Sequence, residues 1–193
     1  MSNKIGGDSW RMSIDLTKNN AKIIVEMIDS GLIFYKHYYL WCDSIIESLE
    51  NPPYWILELA ITKSSNDASG IVSEYAYSDL ETLSPDFYIK FNNLHLACLF
   101  LSSKNGELSW NTLLRESGHY SDGSICKIDC TFFYEMLNKY EDSLQSFELK
   151  REQMNEIERM LSDEIEEIIE IYKVFQMYYS KYLIEEKNKP NPY

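Results

Sequence analysis

REQMNEIERMLSDEIEEIIEIYKVFQMYYSKY, at residues 151–182, is the most regular stretch of the chain. Its apolar residues advance in steps of three or four, which is typical of one face of an α-helix. The pattern continues for about four heptads and is similar to the seam of a coiled coil. We therefore predict a long C-terminal helix, in which a restart at Ser162 would produce a kink. The seam consists of Met154, Ile157, Leu161, Ile165, Ile168, Tyr172, Phe175, Tyr179 and Tyr182.

The rest of the chain shows the same preference for helices. Only 7 glycines and 5 prolines occur in 193 residues, which argues against an all-β fold with its frequent turns. The length fits one domain with a core that needs no disulfide or metal. We predict an all-α, single-domain helical bundle over residues 1–193, with about seven to eight helices. Residues 1–16 would form an irregular arm and residues 186–193 a flexible tail.

Individual helices follow from capping residues and apolar spacing. Asn19 and Asn20 would cap a first helix that ends before Gly31. The next helices are predicted at 34–49, at 54–63 after two prolines, at 84–103 after Ser84-Pro85, and at 109–116. The helix at 54–63 is apolar almost all round, so we expect it to be central. A further helix would start after Asp129 and carry Phe133, Met136, Leu137, Tyr140 and Leu144.

Two stretches rich in glycine and serine are predicted to be loops. They are SSNDASG at residues 64–70 and GHYSDGS at residues 118–124. The stretch that follows the first loop, at residues 71–83, is weakly helical in pattern. Asn105-Gly106 reads as a turn between two helices.

The chain is strongly acidic, with 31 Asp and Glu against 18 Lys and Arg and a net charge of −13. Phosphate backbones and anionic lipids repel such a chain, which argues against direct nucleic-acid or membrane binding. No stretch has the apolar length of a membrane span, and the first residues lack the pattern of a signal peptide. With four scattered cysteines, this composition predicts a cytoplasmic protein with reduced thiols.

YKHYYLWCD, at residues 35–43, contains the residue types from which catalytic and metal sites are built. On a helix, however, His37 and Cys42 lie about 140° apart, so they cannot bind one metal ion together. Tyr38 and Trp41 share a face with other apolar residues. We interpret the stretch as a buried aromatic seam with His37 near its edge; a nonlocal enzyme site around His37, Cys42 or His95 is the competing hypothesis.

The remaining reactive residues do not form a recognisable site. Cys126 and Cys130, with His119 upstream, provide too few ligands for a structural zinc site. Cys98 belongs to the apolar stripe of its helix, and Glu58 stands alone without a second carboxylate nearby in the sequence. No nucleotide-binding, hydrolase or metalloprotease motif occurs. We therefore predict no catalytic residue, no metal, no cofactor and no enzyme activity.

The most informative charge pattern lies in residues 151–170, where eight acids face only Arg151 and Arg159 and carry −6 of the net charge. Several acids are one helical turn apart, where they repel each other. One interpretation is an exposed face that keeps the protein soluble. The other is a docking surface for a cationic partner. The predicted partner-binding residues are Glu156, Asp163, Glu164, Glu166, Glu167 and Glu170.

An acidic helical chain without catalytic motifs resembles the immunity proteins of bacterial polymorphic-toxin and contact-dependent growth inhibition systems. Residues 31–60, GLIFYKHYYLWCDSIIESLENPPYWILELA, are similar to such families in having an aromatic helix, a short break and an apolar helix. The resemblance implies tight one-to-one binding to a cognate toxin that is encoded next to it. The acidic charge favours a basic nuclease domain as that toxin, and we expect the chain to be a monomer. The alternative is a helical scaffold or regulatory adaptor that oligomerises through the C-terminal seam.

Overall fold

The computed structural model describes residues 13–79 and 84–188, and within these ranges the chain is helical without strands. The predicted all-α class and the long C-terminal helix are thereby confirmed. The described residues form nine helices: α1 Lys18–Asp29, α2 Tyr35–Ser48, α3 Tyr54–Ile61, α4 Ser65–Tyr77, α5 Pro85–Lys104, α6 Trp110–Gly123, α7 Cys130–Asp142, α8 Phe147–Met160 and α9 Ser162–Asn188.

Helix starts depend on short polar side chains that accept a hydrogen bond from the first helical turn. Thr17 caps α1 through its Oγ1 atom, 3.2 Å from the Asn20 amide, so the predicted Asn19-Asn20 cap is wrong by two to three positions. Gly31 has a φ of +76° just beyond α1, as expected for a residue that terminates a helix. Residues 13–16 have no regular structure; residues 1–12 of the predicted arm lie outside the described ranges.

The two predicted loops are both wrong, because serine and glycine occur here within helices. Ser64 caps α4, and residues 65–70 form its first turns. The helix continues to Tyr77, so the described part of the ambiguous stretch at 71–83 is mostly helical. Residues 118–123 continue α6 to Gly123, which makes this helix longer than predicted.

The glycines in these two helices have different structural roles. A Cβ atom at Gly118 would lie 2.6 Å from the ring of Tyr134, so a side chain there would prevent α6 from packing closely on α7. A Cβ atom at Gly70 would meet nothing within 4 Å. Gly118 is therefore required by packing, whereas nothing in the structure explains Gly70.

The apolar face of α9 is buried against α2 and α5. Ile168 and Phe175 are fully buried, and the Tyr178 hydroxyl donates a 2.8 Å hydrogen bond to Ser44 of α2. The predicted kink is confirmed as a break at Leu161, which separates α8 from α9. This break accounts for the ninth helix. Helix α9 extends to Asn188 and thus includes the start of the predicted tail, while residues 189–193 lie outside the described ranges.

One buried glutamine connects three helices in the C-terminal half. The Trp110 indole of α6 donates to Gln153 of α8 at 2.9 Å, and Gln153 donates in turn to the Met136 carbonyl of α7 at 2.8 Å. Gln153 is buried, so both hydrogen bonds satisfy groups that water cannot reach. Because the interaction joins residues from distant parts of the sequence, no local pattern indicates it.

Two predictions about apolar residues are wrong. Helix α3 is not central: Trp55, Ile56 and Leu59 are buried, but Tyr54 and Ile61 are 73% and 80% exposed. Leu144 does not face the core either, since α7 ends at Asp142 and Leu144 is exposed in the following turn. Leu144 and Gln145 both have positive φ values, of 54° and 63°, so this turn is strained.

We predict opposite effects on stability for alanine at the two glycines. Gly70→Ala should raise the free energy of unfolding by about 0.5–1 kcal/mol, because it stabilises the helix without a clash. Gly118→Ala should lower it, because an overpacked contact costs about 1–3 kcal/mol, more than the helix gains. Urea unfolding measures both values. Equal stabilisation by the two substitutions would contradict the packing role of Gly118.

Candidate partner-binding surface

The first half of α9 lies between two surface grooves. The α1–α9 groove has a volume of about 570 Å³ and is lined by residues 13–15, by α1 and by Glu167, Glu170, Ile171 and Val174. The α5–α9 groove has a volume of about 350 Å³ and is lined by Asp86, Ile89, Lys90, Asn93, Asp163, Glu164 and Glu167. Carboxylates therefore line both sides of this half of α9.

Glu167 belongs to both grooves and is partly neutralised. Its Oε1 atom lies 2.9 Å from the Nζ atom of Lys90, which lies on α5. The side chains of Lys90 and Glu167 are 45% and 41% exposed, and ion pairs at such positions contribute little to stability. The pair therefore reduces the negative charge at the centre of the surface without holding the fold together.

Glu164 is the most enclosed of the predicted residues. Its Oε1 atom accepts a hydrogen bond of 3.3 Å from Asn93, whose own Oδ1 atom accepts from the Lys127 amide at 2.9 Å. The Oε2 atom is buried and has no hydrogen-bond partner among the described residues. Glu164 thus has a structural contact with α5 in addition to its place at the groove.

The six predicted residues do not all come together. Four of them line the grooves: Asp163, Glu164, Glu167 and Glu170. Glu166 is exposed one helical turn before Glu170, at the edge of the same surface. Glu156 is exposed on α8 and lines neither groove. The break at Leu161 separates it from the others, because α8 and α9 do not form one continuous helix.

Lysines of the chain itself pair with part of the acidic run. Lys173 lies 2.7 Å from Glu170, and Lys104 lies 2.5 Å from Glu158. In the part of the chain that the structure describes, no Lys or Arg lies within ion-pair distance of Asp163 or Glu166. These two exposed acids are therefore the least compensated charges on this surface.

A second surface, which the sequence analysis missed, lies between α3 and α4. This α3–α4 groove has a volume of about 580 Å³ and is lined by Pro53, Tyr54, Trp55, Glu58, Ile71, Glu74, Tyr75 and Ser78. Glu58 lacks a neighbouring carboxylate in the sequence, but the fold brings Glu74 to the same groove. The missed signal was the spacing of Tyr54, Leu57 and Ile61, which places three exposed apolar side chains on one face of α3.

The YKHYYLWCD stretch is packed as an aromatic seam. His37 is only 2% exposed and stacks on Tyr179 of α9 at 4.3 Å between ring centroids. Its Nδ1 atom accepts a hydrogen bond from the Phe34 amide at 3.4 Å, which caps the start of α2. Burial raises the pKa of the Cys42 thiol, so this fully buried group is not a reactive thiolate.

His95 is in hydrogen-bond contact with a buried carboxyl group. Its Nδ1 atom lies 3.3 Å from Glu26 of α1, and its ring stacks on Tyr120 of α6 at 3.9 Å. Burial raises the pKa of the Glu26 carboxyl, an effect that the hydrogen bond from His95 opposes. His37, Cys42 and His95 line none of the three grooves. The His95 contacts connect α1, α5 and α6.

The sequence offers His119, Cys126 and Cys130 as too few ligands for a zinc site. In the structure they lie in α6, between α6 and α7, and at the start of α7. The Cys130 thiol lies 3.6 Å from an oxygen of Asp122. Within the described residues, no group of three or more His, Cys, Asp or Glu side chains is placed to hold a metal ion. None of the described helices is both long and apolar enough to cross a membrane.

Comparison of the chain with protein-family models, with curated proteins and with solved structures gives no match.

We predict that His37 makes stability depend on pH. Burial is the main cause that lowers the pKa of its imidazole to about 4. The unfolded chain, with a histidine pKa of about 6.5, binds more protons between these values. The free energy of unfolding is therefore unaffected by this group above about pH 6.5. It falls by up to about 3 kcal/mol as the pH falls towards 4.

His37→Gln tests this, because glutamine can accept the same hydrogen bond from Phe34 but does not titrate. Urea unfolding between about pH 7 and about pH 5 should show a weaker pH dependence for the variant than for the natural protein. His119→Gln, at an exposed position, is the matched control and should leave the dependence unchanged. The same slope for His37→Gln and the natural protein would refute the assignment.

Proposed function

We propose that the chain is an immunity protein that binds and neutralises a cognate toxin domain, a basic nuclease, in the bacterial cytoplasm. The observation that carries the proposal is the pair of acidic grooves on either side of α9, with Asp163, Glu164, Glu167 and Glu170 in their walls. A nuclease must be basic where it holds phosphate. An acidic surface can therefore occupy its substrate groove and exclude the nucleic acid.

Electrostatics also supports fast binding. The net charge of −13 attracts a basic domain over a distance of about 10 Å at ordinary ionic strength. Complementary charge increases the rate of association more than it increases the final affinity. A protein that protects the cell from a toxin benefits from such a rate, because the toxin must be captured before it reaches its substrate.

The alternative, a scaffold that oligomerises through the C-terminal seam, needs this seam to be available to a second chain. In the described residues, Ile168, Tyr172 and Phe175 are buried against helices of the same chain. This packing favours the monomeric immunity protein. Light scattering measures the oligomeric state directly, and a stable dimer would favour the scaffold.

The first test is co-expression with the product of the gene immediately upstream. We expect a stable one-to-one complex in which the nuclease activity of the partner is lost. If no product of a neighbouring gene forms a complex or is inhibited, the proposal is wrong.

Charge reversal tests where such a complex forms. Glu166→Lys with Glu170→Lys should slow association by about tenfold or more at low salt and by much less at high salt, because added ions screen the attraction. Stopped-flow fluorescence with the isolated partner measures the rate. The double variant also breaks the exposed Glu170–Lys173 pair, but this should change the free energy of unfolding by less than about 1 kcal/mol, so the variant should remain folded.

The matched control is Glu135→Lys with Asp142→Lys, which changes the net charge equally at exposed positions of α7. We expect this control to slow association less than the α9 double variant does. The difference separates the effect of charge on α9 from the effect of the net charge. Equal slowing by the two double variants would place the contact elsewhere or make the attraction nonspecific.

A further inference from the structure

The α3–α4 groove combines an exposed aromatic ring with two carboxylates. Its floor is a stacked pair, Trp55 and Tyr75, at 5.1 Å between ring centroids, in which Trp55 is buried. Tyr54 lines the same groove and, at 73% exposed, is the ring that is open to a ligand. Glu58 and Glu74 come from the two helices on either side. Aromatic faces attract cations, and carboxylates provide the opposite charge and hydrogen-bond acceptors.

The two carboxylates are not neutralised by the described part of the chain. No Lys or Arg in it lies within ion-pair distance of Glu58 or Glu74. Lys18 is the nearby cation: it lies 5.9 Å from the centre of the Tyr75 ring, but Asp79 and Ser78 hold its amino group. A hydrogen bond to Glu58 is the main cause that raises the pKa of the Tyr54 hydroxyl, and the charges of Glu58 and Glu74 add to it.

An exposed apolar ridge borders this groove. Tyr54, Leu57 and Ile61 follow one face of α3, and Ile61 is 80% exposed. Single exposed apolar residues are common, but three large ones in a row on one helix face indicate a contact surface. The ridge and the groove share Tyr54, so a ligand can contact both at once.

We propose that the α3–α4 groove binds an arginine side chain of a protein partner, whose neighbouring apolar residues pack on Tyr54, Leu57 and Ile61. The guanidinium group suits this chemistry, because it is planar, stacks on aromatic rings and donates several hydrogen bonds to carboxylates. The ridge favours an arginine within a protein over free arginine, because only a protein brings neighbouring apolar residues to pack on it. The inference does not depend on the immunity function, since this groove shares no residue with the two grooves of α9.

The experiment uses the full ¹⁵N-labelled chain and three blocked probes: acetyl-Leu-Arg-Leu-amide, acetyl-Leu-Gln-Leu-amide and N-acetyl-arginine amide. The Trp55 indole signal, assigned by its loss in Trp55→Phe, should shift saturably with the arginine tripeptide. The glutamine tripeptide should bind about tenfold more weakly or not at all, because it lacks the charge. The absence of a saturable shift, or equal binding of both tripeptides, would overturn the proposal.

Variants separate the two parts of the surface. Glu58→Gln with Glu74→Gln should weaken binding of both arginine probes about tenfold, whereas Glu135→Gln with Asp142→Asn on α7 should not. Leu57→Ser with Ile61→Ser should weaken the tripeptide but leave N-acetyl-arginine amide unchanged. Circular dichroism verifies that each variant is folded. If the α3–α4 and the α7 acid variants lose probe affinity equally, the groove is not the binding site. If the natural protein binds the arginine tripeptide and N-acetyl-arginine amide with equal affinity, the ligand is not a protein partner.

Discussion

The burial of one face of α9 against α2 and α5 is the constraint from which the rest of the surface follows. Ile168 and Phe175 are fully buried there, and Tyr178 and Tyr179 extend the contact along α2. Removing such side chains from water stabilises the fold by about 1.5–3 kcal/mol each. Because this face must point inwards, the acids at the other positions of the helix must lie beside the two grooves or in solvent.

The surfaces on α9 and on α3–α4 differ in the interactions they provide. Along α9, the charges are numerous, mostly exposed and partly compensated by Lys90 and Lys173, so they act at a distance and depend on salt. Between α3 and α4, two acids lie among aromatic rings beside an apolar ridge, which favours a short-range contact with one side chain. The first kind of surface speeds association, and the second kind slows dissociation.

Helical periodicity and capping residues predicted the class, most helices and the break before Ser162, because these signals are local in the sequence. The two loop predictions failed at Gly70 and Gly118: glycine weakens a helix by only about 1 kcal/mol, and tertiary packing outweighs that. The pairing of Glu167 with Lys90 and the meeting of Glu58 with Glu74 could not be predicted, since each joins separate helices. The acidic run indicated where charge accumulates, but the fold determines which acids remain uncompensated.

Carboxylate footprinting of a complex with the proposed toxin partner tests most directly whether the acidic surface of α9 is the contact. Carbodiimide coupling labels exposed Asp and Glu side chains, and mass spectrometry reads the label at each position. Asp163, Glu166 and Glu170 should be labelled in the free protein and protected in the complex, while Glu135 and Asp142 of α7 should be labelled equally in both. If the three α9 residues are labelled to the same extent in a stable complex, the acidic surface of α9 is not the contact.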